Sequence, residues 1–497
     1  MTDVRQRKPA KPIGQAAARG FSWLLAQTVA TKIISMGSQL LLAWLLLRDD
    51  FGLIGLAYTV TAFVSVFQQA GLKEILVHRH DQFHRWATPV FWMSACLGLA
   101  GAAATLLSLP IVVWLYSEPR LAGLLAVLSL IAPLSAMGVV PQAMLTNGFR
   151  FKALSFVAII STFTGVLLSC GLAWLGWGAY AIVLGLVLSA TVRLGLLWWL
   201  APFKPRAAIQ LRRWRYLIGD SSLILITGVL LVCVYQGDYI SLGIFHDTDT
   251  TGLYYFAFTF SLQTIVLFTS NLSSVLFPAL AQMKHEPERQ MTAFFRACRL
   301  LALLCIPFCF TQAFLADPLV RLLFPEKWYG AIPFLQILGV GMAFRAVGGP
   351  GGSMMQSQGR FRSVFKLTLA YSTVFMVSVF MAAYFGGAIF VAVTASIVFT
   401  LIGPINLYVA ALPLQKNWRA IGSVYSVPVI STLLALSAGA LVSTIVPAST
   451  ENDLVYIGTI LLVGCPVYGW LVRVMAPSDC RDLQNRIAGV LRSRQRG

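Results

Sequence analysis

Five ionisable side chains lie inside long apolar runs of this sequence: Lys32, Arg193, Asp220, Asp238 and Arg345. A charge at the centre of a bilayer costs about 2.5–3.5 kcal/mol or more, so such residues are kept for what they bind or pair with. Lys32 stands roughly 11 residues, and Arg345 roughly 12, from the inner ends of their runs. At about 1.5 Å per residue both sit about 16 to 18 Å into the membrane. Two cations at one level suit an anion held between them, which makes Lys32 and Arg345 the candidate substrate-binding pair. Asp238, in "GDYISLGIFHDTDTTGLYYFAF", lies roughly six residues from the outer end of its run. Its carboxylate is the candidate to bind and release a proton or Na⁺; the competing reading is a buried partner that stabilises helix packing. Arg193 and Asp220 fall within about two turns of the inner surface, where side chains snorkel or cap, and they rank as secondary candidates.

Other chemistries find little support. The sequence holds no nucleophile elbow and no G-x-x-x-x-G-K-[ST] phosphate loop,. His78, His80 and His84 sit in a basic inner loop, a solvated face rather than a metal site,. The eight cysteines are irregularly spaced and make neither a disulfide frame nor a zinc pattern,. Outer loops of about 14 residues or fewer leave no room for a catalytic domain, so neither an enzyme nor a resident cofactor or metal is expected. Directly after Arg345 runs "VGGPGG", with Gly348, Gly349, Pro350, Gly351 and Gly352. Proline removes a helical hydrogen bond and glycine adds backbone freedom, which predicts a hinge or unwound turn. The same run is also a candidate close-packing surface.

The elements that must position these residues follow from composition. Of 497 residues 58% are apolar and 11% charged, with mean hydropathy +0.77, beyond what a water-soluble domain can cover with polar surface,. Fourteen apolar stretches are long enough to cross a hydrocarbon core of about 30 Å, so the expected class is an all-α polytopic membrane protein. Helix 1 is expected over 21–47, helix 7 over 217–244 and helix 10 over 331–357. With the amino terminus inside, the inner segments hold 30 of the 37 Lys and Arg. That leaves Arg48, Arg120, Arg321 and Lys327 outside and Lys32, Arg193 and Arg345 within helices. The asymmetry obeys the positive-inside rule with both termini cytoplasmic. The net charge of +19 is therefore a topology signal and an attraction to anionic lipid rather than a nucleic-acid footprint,.

The chain also repeats itself. Gly52, Leu53, Ala57 and Tyr58 match Gly252, Leu253, Ala257 and Phe258 at an offset of 200, and Ser38 stands where the second copy has Asp238. "PQAMLTNGFRFKALS" and "PGGSMMQSQGRFRSVFK" echo each other from Pro141 and Pro350. Six helices separate each pair of echoes, an even number, which predicts two parallel six-helix lobes plus two extra helices. The expected divisions are an N-terminal lobe over 1–200, a basic interfacial segment over 201–216 and a C-terminal lobe over 217–412. Helices 13 and 14 over 413–474 and a basic amphipathic tail over 475–497 complete the chain,.

Four stretches, "DYISLGIF", "TGLYYFAF", "VLFPALAQMKHEPERQMTAFFRACRLLALLCIP" and "LVRLLFPEKWYGAIPFLQILGV", resemble the Wzx-type flippases. These belong to the multidrug/oligosaccharidyl-lipid/polysaccharide exporter superfamily, and the resemblance is strongest to the branch serving capsular and exopolysaccharides. It implies two lobes facing a central cavity in a bacterial inner membrane, and transfer of a polyprenyl-diphosphate-linked oligosaccharide to the outer leaflet by alternating access, for exopolysaccharide, capsule or O-antigen (lipopolysaccharide) synthesis. It implies as partners this lipid-linked oligosaccharide, membrane lipids, a polysaccharide polymerase and export machinery. Relatives that flip the peptidoglycan precursor use several cavity cations, where this chain offers Lys32 and Arg345. The family motif in helix 7 carries over to Asp238, Gly243, Gly252 and Tyr254. With no ATP site, drive falls to ions, the membrane potential or removal of product, and H⁺ or Na⁺ at Asp238 is the expected coupling. An ion-coupled drug or metabolite antiporter is the second reading; a polysaccharide polymerase is the third, against which the short outer loops stand.

Overall fold

The structure is a computed structural model, and it describes residues 13–68, 76, 83–148, 150–203, 205, 206, 214, 222–414, 418–445 and 452–477. Asp220, His78, His80, the basic arm before residue 13, most of the 201–216 segment and the tail beyond residue 477 lie outside the described residues. Among the described residues all regular structure is helical. Twelve helical segments among the described residues are long and apolar enough to cross a membrane. One of them, Phe361–Ala411, has 51 residues, more than twice what a bilayer of about 30 Å needs at about 1.5 Å per residue,. It breaks at Gly387, whose φ of 83° is a conformation that side-chain-bearing residues avoid,. Its two ends meet again, because Arg360 near the start donates to the carbonyl of Val409 near the finish at 3.1 Å. The segment is thus a hairpin of two spans, and with Thr248–Gln282 the long helices among the described residues number fourteen.

The chain divides into two compact units, residues 1–232 and 233–497. In the first, α1 is Ile13–Leu45, α2 Arg48–Gln68 and α3 Phe83–Tyr116. The fourth crossing is broken into α4 Arg120–Leu128, α5 Ile131–Met137 and α6 Val139–Asn147, and α7 Phe151–Trp174 and α8 Ala179–Leu200 close the unit. In the second, α9 Ser222–Phe245 enters from the boundary, followed by α10 Thr248–Gln282, α11 Pro287–Phe314 and the short α12 Ala316–Leu323. Then come α13 Ile332–Gly348, α14 Pro350–Ser357, the α15 hairpin Phe361–Ala411, α16 Trp418–Ile445 and α17 Asp453–Met475.

Local geometry repeats as the sequence does. α1 ends at Leu45 and α2 starts at Arg48, while α9 ends at Phe245 and α10 starts at Thr248, an offset of 200 at both points. The closing bond from Leu46 N–H to Leu42 C=O is 2.8 Å long, and so is its counterpart from His246 to Leu242. At the second echo Arg150 (φ −83°, ψ 51°) and Arg360 (φ −84°, ψ 48°) precede α7 and α15 in the same conformation. Each caps a later helix end: Arg150 donates to Leu200 C=O at 2.9 Å, as Arg360 does to Val409. These arginines satisfy carbonyls that a helix terminus otherwise leaves without partners.

Packing within each unit follows membrane rules. Small residues let helices approach where hydrocarbon offers no hydrophobic gain: Gly165 of α7 meets Ser189 of α8, and Gly439 of α16 meets Ile460 of α17,. Large apolar side chains point outward, among them Trp114 at 79% and Leu107 at 78% exposure, as a lipid-facing surface requires,. In the first unit Asp50 ties two helix starts together, accepting from Leu47 N–H at 3.0 Å and from Ala179 N–H at 2.8 Å. Gly178 must lack a side chain there, since its φ is 54° and a Cβ would stand 2.7 Å from the Asp50 carboxylate,.

Candidate functional site

Asp238 is fully enclosed in α9 of the second unit. Tyr254 of α10, also fully buried, donates its hydroxyl to Oδ2 at 2.7 Å, and the Tyr239 N–H lies 3.0 Å from Oδ1. Two bonds to a carboxylate are charge-assisted and strong, yet an ionised carboxylate has about four acceptor positions, so capacity is left over. Aromatic rings wall the group. Tyr239 meets Tyr254 and Phe258 edge-on at 5.6 and 5.4 Å, and Tyr254 meets Phe334 at 5.8 Å.

Arg345 of α13 completes the cluster. Its guanidinium carbon stands 4.4 Å from the Tyr235 ring centre and 4.5 Å from that of Phe399, held between an α9 face and an α15 face,. Arg345 and Asp238 are near enough to act on each other electrostatically, as are Arg345 and Tyr371. Arg345 Nη1 and the Tyr371 hydroxyl are both sealed from solvent without a hydrogen-bond partner among the described residues. Enclosed donors left unpaired are costly, so a bound acceptor would gain here. The carboxylate, the guanidinium and the phenols of Tyr235, Tyr254 and Tyr371 form one polar centre within an apolar bundle.

Lys32 lies in the other unit, half-buried on α1. Arg193 lies on α8, where Nη2 donates to Gln142 Oε1 of α6 at 3.2 Å; it points to a protein partner rather than simply snorkelling. Gly349 has helical dihedrals (φ −53°, ψ −45°), so α13 runs into α14 with little change of direction. Gly348 and Gly351 face α15: a Cβ on Gly348 would fall 2.5 Å from Gly403 Cα, and one on Gly351 2.8 Å from the Asn406 carbonyl. Gly352 faces open space. No group of three or more His, Cys, Asp or Glu is placed to hold a metal ion among the described residues.

Sequence reading missed Tyr235, Tyr371, Phe399 and Gln142. Tyr235 carried a signal, because Tyr235, Asp238 and Tyr239 share one face of α9 at i, i+3 and i+4. Phe399 and Tyr371 carried none, since α15 returns to the site only through tertiary packing. At the positions matching Asp238 and Tyr254, the first unit has Ser38 and Ile54, both buried and without a carboxylate. The polar pair is installed in one copy of the duplicated unit.

The family model described as "Polysaccharide biosynthesis protein" matches residues 41–333. The succinoglycan biosynthesis transport protein ExoT of Rhizobium meliloti is 26% identical over 65% of this chain and 66% of its own length. The teichuronic acid biosynthesis protein TuaB of Bacillus subtilis is 24% identical over 87% of this chain and 89% of its own. For the lipopolysaccharide biosynthesis protein WzxC of Escherichia coli the figures are 23%, 74% and 76%. Among solved structures, the lipid II flippase MurJ in an inward closed conformation superposes with a TM-score of 0.74 at 14% identity, covering 93% of this chain and 99% of that one. An inward-facing multidrug resistance MATE transporter superposes at 0.58 and 15% identity over 79% and 96%.

Proposed function

The chain belongs to the polysaccharide biosynthesis protein family, and from that premise we propose that it is a flippase. Its cargo is a polyprenyl-diphosphate-linked oligosaccharide repeat unit, moved from the inner to the outer leaflet of a bacterial cytoplasmic membrane for exopolysaccharide, capsule or O-antigen synthesis. The observation that carries this reading is the family match across 41–333 of a polytopic helical chain, backed by relatives named for succinoglycan, teichuronic acid and lipopolysaccharide biosynthesis. The physical problem is to take a hydroxyl-rich, charged head group through about 30 Å of hydrocarbon that cannot hydrogen-bond it. A transporter solves this with side chains rather than with bond-breaking groups.

In this scheme the duplicated units work by alternating access while the lipid tail stays in hydrocarbon. Lys32 and Arg345 are the cations offered to the diphosphate. Asp238, seated by Tyr254 and next to Arg345, exchanges H⁺ or Na⁺, and the stretch from Gly348 to Gly352 absorbs the backbone rotation. Both termini face the cytoplasm, as the basic loops require, and the polymerase that consumes the repeat unit acts downstream.

The test is complementation in a strain deleted for its own flippase, reading surface polysaccharide and the inner-leaflet pool of lipid-linked repeat unit. Wild type is expected to restore export, whereas Lys32→Gln and Arg345→Gln reach the membrane at normal levels and fail to export. Full export by both variants would remove the clamp. Drug resistance conferred without polysaccharide export would instead favour the antiporter, for which the fold likeness to MATE transporters leaves room.

A further inference from the structure

The first unit contains a cavity of about 700 Å³, within the range of about 300–1,000 Å³ typical of small-molecule sites. Helices α1, α2, α5, α6, α7 and α8 surround it, and Gln27, Ser135, Gln142, Thr162, Ser189 and Arg193 place amide, hydroxyl and guanidinium groups on its wall. Leucine and other aliphatic side chains complete the lining. Arg193 is the one charged side chain among the described residues that line it.

The Arg193–Gln142 bond fixes what the wall presents. A guanidinium has only donors, so the Gln142 oxygen must face it, and the Gln142 NH₂ is turned elsewhere,. Arg193 has five N–H donors and gives one to Gln142 at 3.2 Å,. It is solvent-accessible along the cavity wall. The donors that Arg193 keeps after this bond carry the one positive charge on the wall, the complement of a singly charged oxyanion,. A diphosphate, with its greater charge, calls for more than one cation.

The other copy of the fold carries different residues at the matching positions. The offset of 210 that aligns Arg150 with Arg360 sets Gln142 on Gly352, and the offset of 209 that aligns Leu200 with Val409 sets Arg193 on Ile402. There Gly348 and Gly351 bring α13 and α14 against the backbone of Gly403 and Asn406 in α15. In the first unit Gly138, the counterpart of Gly348, faces the Leu197 side chain instead. Duplication alone would have produced two equivalent interiors; the first unit has Gln142 and Arg193 where the second has Gly352 and Ile402.

We propose that this cavity is a head-group subsite for a carboxylate-bearing sugar residue, the carboxylate held by Arg193 and Gln142 and the ring hydroxyls by the surrounding amide and hydroxyl side chains. The inference rests on the flippase reading for its biological cargo, but its test is a binding measurement independent of transport. Purified full-length protein in lipid nanodiscs is titrated by saturation-transfer NMR with D-glucuronate, D-glucose and inorganic phosphate. Glucuronate is expected to bind saturably and at least tenfold more tightly than glucose. Arg193→Gln weakens it at least tenfold. Gln142→Glu does the same by placing a carboxylate against Arg193, and because Glu still pairs with Arg193, this variant keeps its thermal stability and separates lost binding from lost folding. The proposal is overturned if glucuronate does not bind, binds no better than glucose, or binds equally to the folded Gln142→Glu variant. Phosphate binding without glucuronate binding also overturns it, assigning Arg193 to the lipid carrier's phosphate. Failed complementation with Arg193-dependent glucuronate binding would sink the flippase reading and leave the subsite standing; restored export without such binding would do the reverse.

Discussion

Adding one methyl group to "VGGPGG" is expected to have opposite effects at positions four residues apart. In Gly348→Ala the new Cβ would lie 2.5 Å from Gly403 Cα and 2.8 Å from its carbonyl oxygen. Ordinary van der Waals contact begins near 3.4 Å, and both obstacles are backbone, so neither can rotate away. α13 and α15 must separate by roughly 1 Å, an overpacking cost of about 1–3 kcal/mol, against which alanine returns about 1 kcal/mol of helix propensity. Backbone on both sides puts the cost in the upper part of that range, for a net loss of about 1–2 kcal/mol. Gly352→Ala meets nothing within 4 Å and is expected to gain up to about 1 kcal/mol. A difference of about 2 kcal/mol corresponds to roughly 4–8 °C in a unit of this size. Thermal unfolding in detergent, followed with a thiol-reactive dye reporting the buried Cys298, Cys305 and Cys309, measures it. Equal midpoints for the two variants, or a lower midpoint for Gly352→Ala, would refute the packing argument. Flux then reports on the hinge: Gly352→Ala slows export at undiminished stability if the run must flex, and leaves it unchanged if the glycines serve packing alone.

Tyr254→Phe removes the hydroxyl bound to Asp238 and is expected to lose about 1.5–3 kcal/mol, the value of a hydrogen bond to a charged group; an unchanged midpoint would show that the bond contributes nothing. Asp238→Asn is expected to abolish the response of reconstituted transport to imposed pH and Na⁺ gradients, and a folded variant with wild-type gradient dependence would exclude the coupling role. Asp50→Ala leaves the Leu47 and Ala179 N–H groups without their acceptor, costing about 0.5–2 kcal/mol as capping losses do, which the same thermal assay reads against Asp50→Asn. Between α3 and α4, Arg120 donates to Glu118 at 2.6 Å and holds that carboxyl below the usual carboxylate range. A lowered folded-state value stabilises above the unfolded one and is lost as pH falls through the folded one, so a small acid-side loss of stability should vanish in Arg120→Gln.

The sequence by itself determined the class and the repeat. Fourteen long helices follow from runs of apolar residues, because in hydrocarbon each backbone polar group must be satisfied within its own segment and every span announces itself locally. The duplication was legible for the same reason, since "GL…A-aromatic" and "RFK/RFR" mark helix starts whose geometry is local and recurs at Arg150 and Arg360. Asp238, Arg345 and Lys32 stood out because a charge in an apolar run is costly wherever the run ends up. What surrounds them was decided elsewhere. Phe399 reaches Arg345 only after α15 folds back at Gly387, and Gln142 meets Arg193 only when α6 and α8 pack, 51 residues apart in the chain. Whether a glycine bends a helix or seats it against a neighbour likewise depends on the opposing surface. Contacts between distant segments are made by packing, and packing is a property of two surfaces of which the sequence shows one at a time.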